Sequence, residues 1–439
     1  MVKTATPKVV LATVGSLGDL HPFIALGRAL RARGADVVIA CALEYKPKIE
    51  AAGLKFCAVR PSFEDMQTRL NLDRAALTRA VLAQGAFLFR ELIVPGVRVA
   101  YEDMLPLVAD ADLVLTSSLC FGARLACERR AVPWIGIVLQ PMMFLSAFDM
   151  PVIPKAQWLS RVLRRLGAPA TAIVLGMLKH AVGRLLRPIH ALRREIGLAQ
   201  TRQNPLFEGQ FSAAGAIALY SEVLGGIRAD YPQPTSIAGF AWFDSEDGTA
   251  PRLEPELLAF LAAGAAPLVF TLGSLVVHDP GSFYRESLAA ARLLGMRAVL
   301  VGAPALALHG ASPSDAAPDV FACEYAPHSL LFPRAAAITH QGGIGTLAQA
   351  LRSGRPQLVV PFFADQLDNA ARAVRLGVAR SLAPSDYGAA TAARELERLT
   401  TGERPRARAR DLGARLLHED GAAVAAELVM NRLNSRINQ

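Results

Sequence analysis

Apolar runs of strand length alternate with segments of helical period from one end of the chain to the other. "KVVLATVG" near the N-terminus is followed by "PFIALGRALRARG", "DVVIAC", "KPKIEAAG" and "KFCAV". The short runs are β-branched and uninterrupted, as strands covered on both faces are. The segments between them repeat apolar residues every three to four positions. A strand–helix–strand–helix–strand order predicts a parallel, doubly wound sheet. "DLVLTSS", "FGARLACERRA" and "PWIGIVLQ" extend it. The pattern restarts after residue 265 with "PLVFTLGS", "FYRESLAAARLLG", "RAVLVG", "VFACEYA", "AAAITHQ", a helix from about Gly345 to Ser353, "PQLVVPF" and "QLDNAARAVRLG". Between the two sets lies "DYPQPTSIAGFAWFDSEDGTAPRLEPE", whose Pro, Gly and acidic residues read as a linker. The expected fold is therefore α/β, with two Rossmann-like domains. They span residues 1–238 and 257–439, with a linker over 239–256, and the last helix is free to pack back on the first domain.

Composition agrees and adds little. The 439 residues are long for one core, and 52% hydrophobic with 19% charged residues describes a globular chain. A net charge of +9 suits an anionic partner. Its arginine- and alanine-rich basis also follows from GC-rich coding. Five cysteines, Cys41, Cys57, Cys120, Cys127 and Cys323, are odd in number and form no C-x-x-C pair. They read as reduced thiols, with neither a zinc ribbon nor a disulfide framework. The first apolar run reads as a strand, not a signal peptide. "TAIVLGMLKHAVGRLL" is short for a bilayer span and is broken by Lys179, His180 and Arg184. A soluble, cytoplasmic protein is expected. From Lys155 to Arg194 the chain is basic without one acid, and Trp158, Leu159, Val162, Leu163 and Leu166 fall at helical spacing. Two readings stay open: a solvated cationic face, or a peripheral contact with the inner membrane surface.

The chemistry concentrates in "ITHQGGIGTLAQAL", residues 338–351. Glycines between a strand and a helix expose backbone N–H groups and a positive dipole end, which suits a phosphate. The spelling G-x-G-x-x-A, with Asp365 downstream, fits an NAD fingerprint. Three neighbours favour a different nucleotide. His340 stands directly before the turn, where an imidazole can donate to an anionic oxygen. Asp365, Gln366 and Asn369 cluster at a strand's carboxyl end, where sugar hydroxyls are met. Gly273-Ser274 end an earlier strand with a small hydroxyl.

"HQGGIGTLAQALRSGRPQLVVPFFADQLDNAARAVRLG" resembles the donor-binding signature of the GT-B nucleotide-sugar glycosyltransferases of family 1, the UDP-glycosyltransferase-like family. The H-x-G-G-x-G-T form with a later D-Q-x-x-N-A is similar to its bacterial, antibiotic-type branch. "GSLGDLHPFIALGRALRARGADV" is similar to the family's opening loop, so the resemblance spans the chain. It implies two Rossmann-like domains facing a central cleft. His340 with the amides around Gly342, Gly343, Gly345 and Thr346 would hold a donor diphosphate, helped by Gly273 and Ser274, and Asp365 and Gln366 would bind the sugar. Tyr325 stands where plant members carry a base-stacking tryptophan. Pro327 matches that motif, whereas His328 replaces its glutamine. The plant glutamate that contacts ribose is Ala348 here, and the plant tryptophan of the loop is Gly343.

Sugar transfer with inversion needs a general base, worth roughly 10²–10⁴-fold. In "VGSLGDLHPF" the candidates are Asp19, which aligns with the family's catalytic position, and His21 as second choice. N-capping of a helix that starts near Pro22 is the plain structural role for Asp19. Asp110-Ala111-Asp112 spells a D-x-D metal motif but lies at a strand's amino end, so no metal or other cofactor is expected. The co-substrate would be a dTDP- or UDP-sugar. Candidate acceptor residues are Phe87, Phe121, Met142, Met143, Phe144 and Phe148, which suit a hydrophobic or lipid-like partner; nucleic acid is not expected. Within the family the resemblance leans to the rhamnosyltransferases of rhamnolipid synthesis, which implies rhamnosyl transfer from dTDP-L-rhamnose to a hydroxyacyl lipid. Alternatives are a sterol, carotenoid or polyketide acceptor, a nucleotide-sugar binding protein without activity and, remotely, an NAD-dependent oxidoreductase.

Overall fold

Strand β1 (Lys8–Ala12) is exposed at its first residue and buried at the next four. An apolar run of that kind belongs inside a parallel sheet with helices on both faces. It pairs in parallel with β2 (Asp36–Cys41) on one side and β4 (Leu113–Thr116) on the other. With β3 (Lys55–Ala58), β5 (Trp134–Val138), β6 (Ala216–Ala218) and β7 (Thr235–Ile237), the order is β3-β2-β1-β4-β5-β6-β7. The chain leaves β1 and β4 toward opposite flanks, so the loops beyond their carboxyl ends diverge and open a crevice.

The computed structural model describes residues 6–153, 156–245, 248, 250–302 and 318–437. They fall into two compact units, Met1–Thr249 with Asp420–Gln439, and Ala250–Glu419. The second unit carries β8 (Leu268–Thr271), β9 (Ala298–Val301), β10 (Val320–Cys323), β11 (Ala337–His340), β12 (Gln357–Val359) and β13 (Ala379–Ser381). Their order is β10-β9-β8-β11-β12-β13, every described pair being parallel. Its switch point lies between β8 and β11, which sets the loops after those two strands side by side. The last helix, Gly421–Ile437, packs on the first, Leu17–Ala32, and buries Ala422, Ala425, Ala426, Val429 and Leu433.

Two details depart from the sequence reading. β6, β7 and β13 have three residues each, too few to show a period. β7 lies just before the linker expected over 239–256 and completes the first sheet. The first helix starts at Leu17 with Ser16 as its N-cap, and Pro22 lies inside it. Among the described residues no single helix is long and apolar enough to cross a membrane.

Candidate functional site

β11 runs straight into His340, which is fully buried, and the chain then turns through Gln341 and Gly342 into the helix Ile344–Arg352. Gly342 has φ +88, and a Cβ there would stand 2.8 Å from Val359 Cγ1 and 3.1 Å from the Gln366 carbonyl oxygen. Only glycine suits both the sign of φ and the space. Gly343 is the N-cap. The amides from Gly343 through Ile344 and Gly345 to Thr346 are the ones a helix cannot satisfy from within, and they carry its positive end. Gly343 and Gly345 are half-buried, so solvent reaches this turn, while Thr346 is buried.

His340 serves the loop itself. Its Nδ1 accepts from the Gly342 N–H at 3.0 Å, and its Nε2 lies 2.9 Å from Gln357 Oε1. With Nδ1 accepting, the proton sits on Nε2 and is donated to Gln357. Burial pushes the imidazole down to about 4, against the Gln357 hydrogen bond and with a small contribution from His328. The ring is therefore neutral at pH 7. The sequence reading had it donating to an anionic oxygen. Both nitrogens are engaged inside the fold instead, and contact with a phosphate through Nδ1 requires release of the Gly342 amide.

The residues expected to meet the sugar follow β12. Asp365 is the N-cap of the helix Gln366–Leu376. Asn369, fully buried, donates from Nδ2 to the Gly342 carbonyl at 3.0 Å and to Asp365 Oδ2 at 2.8 Å. One side chain thus ties the glycine loop to the acidic position. Gln366 Oε1 accepts from the amides of Phe362 and Phe363 at 2.9 and 3.2 Å, which fixes the turn before the helix. Across the switch point, Gly273 (φ +64) ends the β8 segment, and a Cβ there would meet Gln341 Nε2 at 2.1 Å. A Cβ on Gly343 would meet the same atom at 2.8 Å. The Gln341 carboxamide is therefore wedged between the two glycines, with its buried Oε1 unpartnered. Ser274, beside Gly273, is half-buried. Gln341 and Gln357 were missed as functional residues; the polar pair His-Gln ending an apolar strand was the available signal. Tyr325 is half-buried after β10, the sheet's edge. Pro327 caps a one-turn helix, and the His328 ring stacks on Phe332 at 4.3 Å.

In the first unit, the β1 loop ends in Gly15-Ser16 and the helix begins. Asp19 Oδ2 accepts from the Ser16 N–H at 2.8 Å and lies 3.4 Å from Ser16 Oγ. It is the reciprocal half of a capping box, a role shifted from the cap expected near Pro22. A Cβ on Gly15 would lie 2.2 Å from Oδ2, so the strand approaches the carboxylate closely. Burial raises this carboxyl to about 6, outweighing the Ser16 hydrogen bonds. The residue as a whole is half-buried, so its carboxylate is shielded without being sealed off. His21, two residues on, sets its ring edge-on against Phe243 at 5.2 Å.

Gly15 and Ser16 also line an apolar cavity of about 150 Å³ together with Tyr45, Leu88, Leu92, Met104 and Phe121, among others. A space of that size takes about one benzene ring, enough for part of a larger apolar molecule. Phe121 is the one of the six proposed acceptor residues in its wall. Phe87 is not, although Leu88 beside it is. Phe144 is committed to a stack with Tyr231 at 3.9 Å, Met143 packs on the core, Met142 is half-buried outside the wall, and Phe148 is 56% exposed. The Met–Phe run after β5 folds away from the cavity because β5 lies two strands from β1. Many of the missed wall residues come from the Val94–Ala109 helix and the segment before it, whose apolar positions read only as helix core. Asp112, of the D-x-D spelling, accepts the Lys8 N–H at 2.7 Å and so anchors the start of β1. Among the described residues no group of three or more His, Cys, Asp or Glu could hold a metal ion.

The chain is similar to known glycosyltransferases. Residues 292–430 match the family model described as erythromycin biosynthesis protein CIII-like, C-terminal domain, and residues 9–96 match the glycosyltransferase family 28 N-terminal domain. The chain is 30% identical to the O-mycaminosyltylonolide 6-deoxyallosyltransferase of Streptomyces fradiae, over 96% of each chain. It is 27% identical to the sterol 3-beta-glucosyltransferase of Aspergillus terreus over 98% of its own length, which is 30% of that longer protein. In structure it superposes on the calicheamicin glycosyltransferase CalG4 with a TM-score of 0.70 at 20% identity, covering 98% and 99% of the two chains. The thymidine diphosphate complex of the spinosyn rhamnosyltransferase SpnG gives 0.65 at 18% identity, covering 96% and 99%.

Proposed function

Because the chain belongs to the GT-B glycosyltransferases of family 1, we propose that it transfers a deoxyhexose, with inversion, from a thymidine-diphospho-sugar to a hydroxyl of a hydrophobic, polyketide-type acceptor. The observation that carries this reading is the shielded carboxylate of Asp19, raised to about 6 and bonded to the amide of Ser16, which lines an apolar cavity. A carboxyl near 6 is ionised at pH 7 yet basic enough to pull on a hydroxyl proton. In the step proposed, Asp19 takes the acceptor's proton, and the acceptor oxygen bonds to the anomeric carbon as that carbon's bond to the β-phosphate oxygen breaks. The nucleoside diphosphate departs with the electron pair. Its charge falls on the amides of Gly343–Thr346 and the helix end behind them, held in place by His340 and Asn369. Asp365 and Gln366 would meet the sugar.

The 6-deoxyallosyltransferase relative supports a deoxysugar and a polyketide acceptor, and the sterol glucosyltransferases support a rigid apolar one. Rhamnosyl transfer to a hydroxyacyl lipid, the reading first drawn from sequence, is the second reading. The basic, apolar surface described below favours it. Mass spectrometry of reactions with dTDP-rhamnose, dTDP-glucose and UDP-glucose against a macrolactone, a sterol and a hydroxyacyl lipid separates them. A glycoside of the lipid alone would replace the first reading with the second. No product with any donor, together with thermal stabilisation by NAD(H), would remove both.

A further inference from the structure

Helices Gln157–Leu166 and Ala168–Leu185 form a hairpin about Gly167 (φ +85). Its inner side is ordinary. Leu163 and Leu175 are buried in the core cluster that also holds Val97, Met104, Cys120 and Phe121, four residues of the apolar cavity's wall. Its outer side is not. Trp158 (62% exposed), Val162 (41%) and Leu166 (62%) recur every four residues on the first helix, and Ile173 (68%) and Met177 (61%) on the second. Five of the thirteen exposed large hydrophobics among the described residues thus fall within residues 158–177. Such side chains scattered singly would need no explanation, whereas a cluster does.

The hairpin's own charges are of one sign. Residues 156–194 contain no Asp or Glu. Arg164 is occupied by the Met150 carbonyl, Lys179 by Glu208 and Arg193 by Glu128. The exposed Arg161, Arg165, Arg184 and Arg187 make no ion pair with any described residue. A second copy of the chain docked here about a twofold axis would set arginines against arginines without an acid to answer them. A solvated cationic face would not present tryptophan, isoleucine and methionine beside its arginines.

We propose that this hairpin is a docking surface for an anionic phospholipid bilayer. The apolar stripes enter the boundary between headgroups and acyl chains, and the arginines meet the lipid phosphates. Docking would bring the cavity's own core cluster to the phase in which an apolar acceptor dissolves. The inference stands apart from the transfer reaction, since vesicle binding is measured without donor or acceptor.

The full chain is sedimented with vesicles of phosphatidylcholine alone and of equal phosphatidylcholine and phosphatidylglycerol. Binding is expected with the anionic vesicles only, and it weakens at 0.5 M salt. R161A/R165A lowers the partition coefficient by about fivefold for each cation removed, and W158S/I173S by about tenfold or more. Trp158 fluorescence shifts to the blue on vesicle binding, and W158F abolishes the shift. These residues are exposed, so unchanged thermal unfolding of each variant keeps the comparison clean. Equal binding by wild type and both double variants, or none to anionic vesicles, overturns the proposal. Self-association that W158S/I173S abolishes, with no vesicle binding, overturns it in favour of a second copy.

Discussion

Asp19 closes a helix turn and is also the proposed base. As a capping-box residue it closes the first turn of the helix, and the same enclosure that fixes it raises its carboxyl to about 6. Asp19→Asn keeps an acceptor for the Ser16 amide and loses the proposed base, so kcat should fall roughly 10²–10⁴-fold with nucleotide binding unchanged. In the wild type kcat/KM should rise tenfold per pH unit up to about pH 6 and then level. Stability carries the opposite sign. Folding raises this carboxyl from 3.8 to about 6, so between those values the native chain holds more protons than the unfolded one. Its contribution is lost as pH rises through about 6. Urea titrations should find Asp19→Asn more stable than wild type by about 1 kcal/mol at pH 7.5, and no more stable at pH 3.5. Asn369→Ala tests the other unit. It removes the bonds to Gly342 and Asp365 at a fully buried position, at a cost of about 1–3 kcal/mol. Calorimetric titration should show thymidine diphosphate binding weakened by about tenfold.

At the scale of elements, strands buried on both faces were legible because uninterrupted apolar runs of four or five residues have few other uses. The glycine turn was legible because Gly342 and Gly273 need positive φ in crowded space. Less could be read where a polar residue serves its neighbours. The sequence suggested a ligand for His340, whereas buried partners, which no spacing reveals, commit one nitrogen to the loop and the other to Gln357 of β12. The wall of the apolar cavity was hidden for a related reason. Apolar positions on the Val94–Ala109 helix have the period of a core helix whether they face a core or a cavity. Ala100, on that helix, lines the cavity. Ala100→Leu adds three carbons to a space of about 150 Å³ and should raise the KM for a bulky acceptor about tenfold, leaving donor KM unchanged. Steady-state kinetics with each substrate varied in turn checks this.

At the scale of the whole molecule, the chain crosses to its second unit near residue 250 and returns near residue 420. The returning helix seals the first helix with Val429 and Leu433 among five buried residues, worth about 5 kcal/mol of apolar burial. A chain ending at Glu419 should therefore lose about 10 °C from the melting of the first unit, while thymidine diphosphate still stabilises the second. Scanning calorimetry with and without nucleotide resolves the two. The proposed transfer needs both a phosphate-binding turn, at Gly342–Thr346, and a base, at Asp19. A single comparison tests it most directly: wild type and Asp19→Asn, each incubated with dTDP-deoxysugar and a hydrophobic polyketide acceptor, with product followed by mass spectrometry and anomeric configuration by NMR. The account predicts an inverted glycoside from the wild type and almost none from the variant, with equal nucleotide binding by both. Equal turnover by the two proteins, or retained configuration, would contradict it.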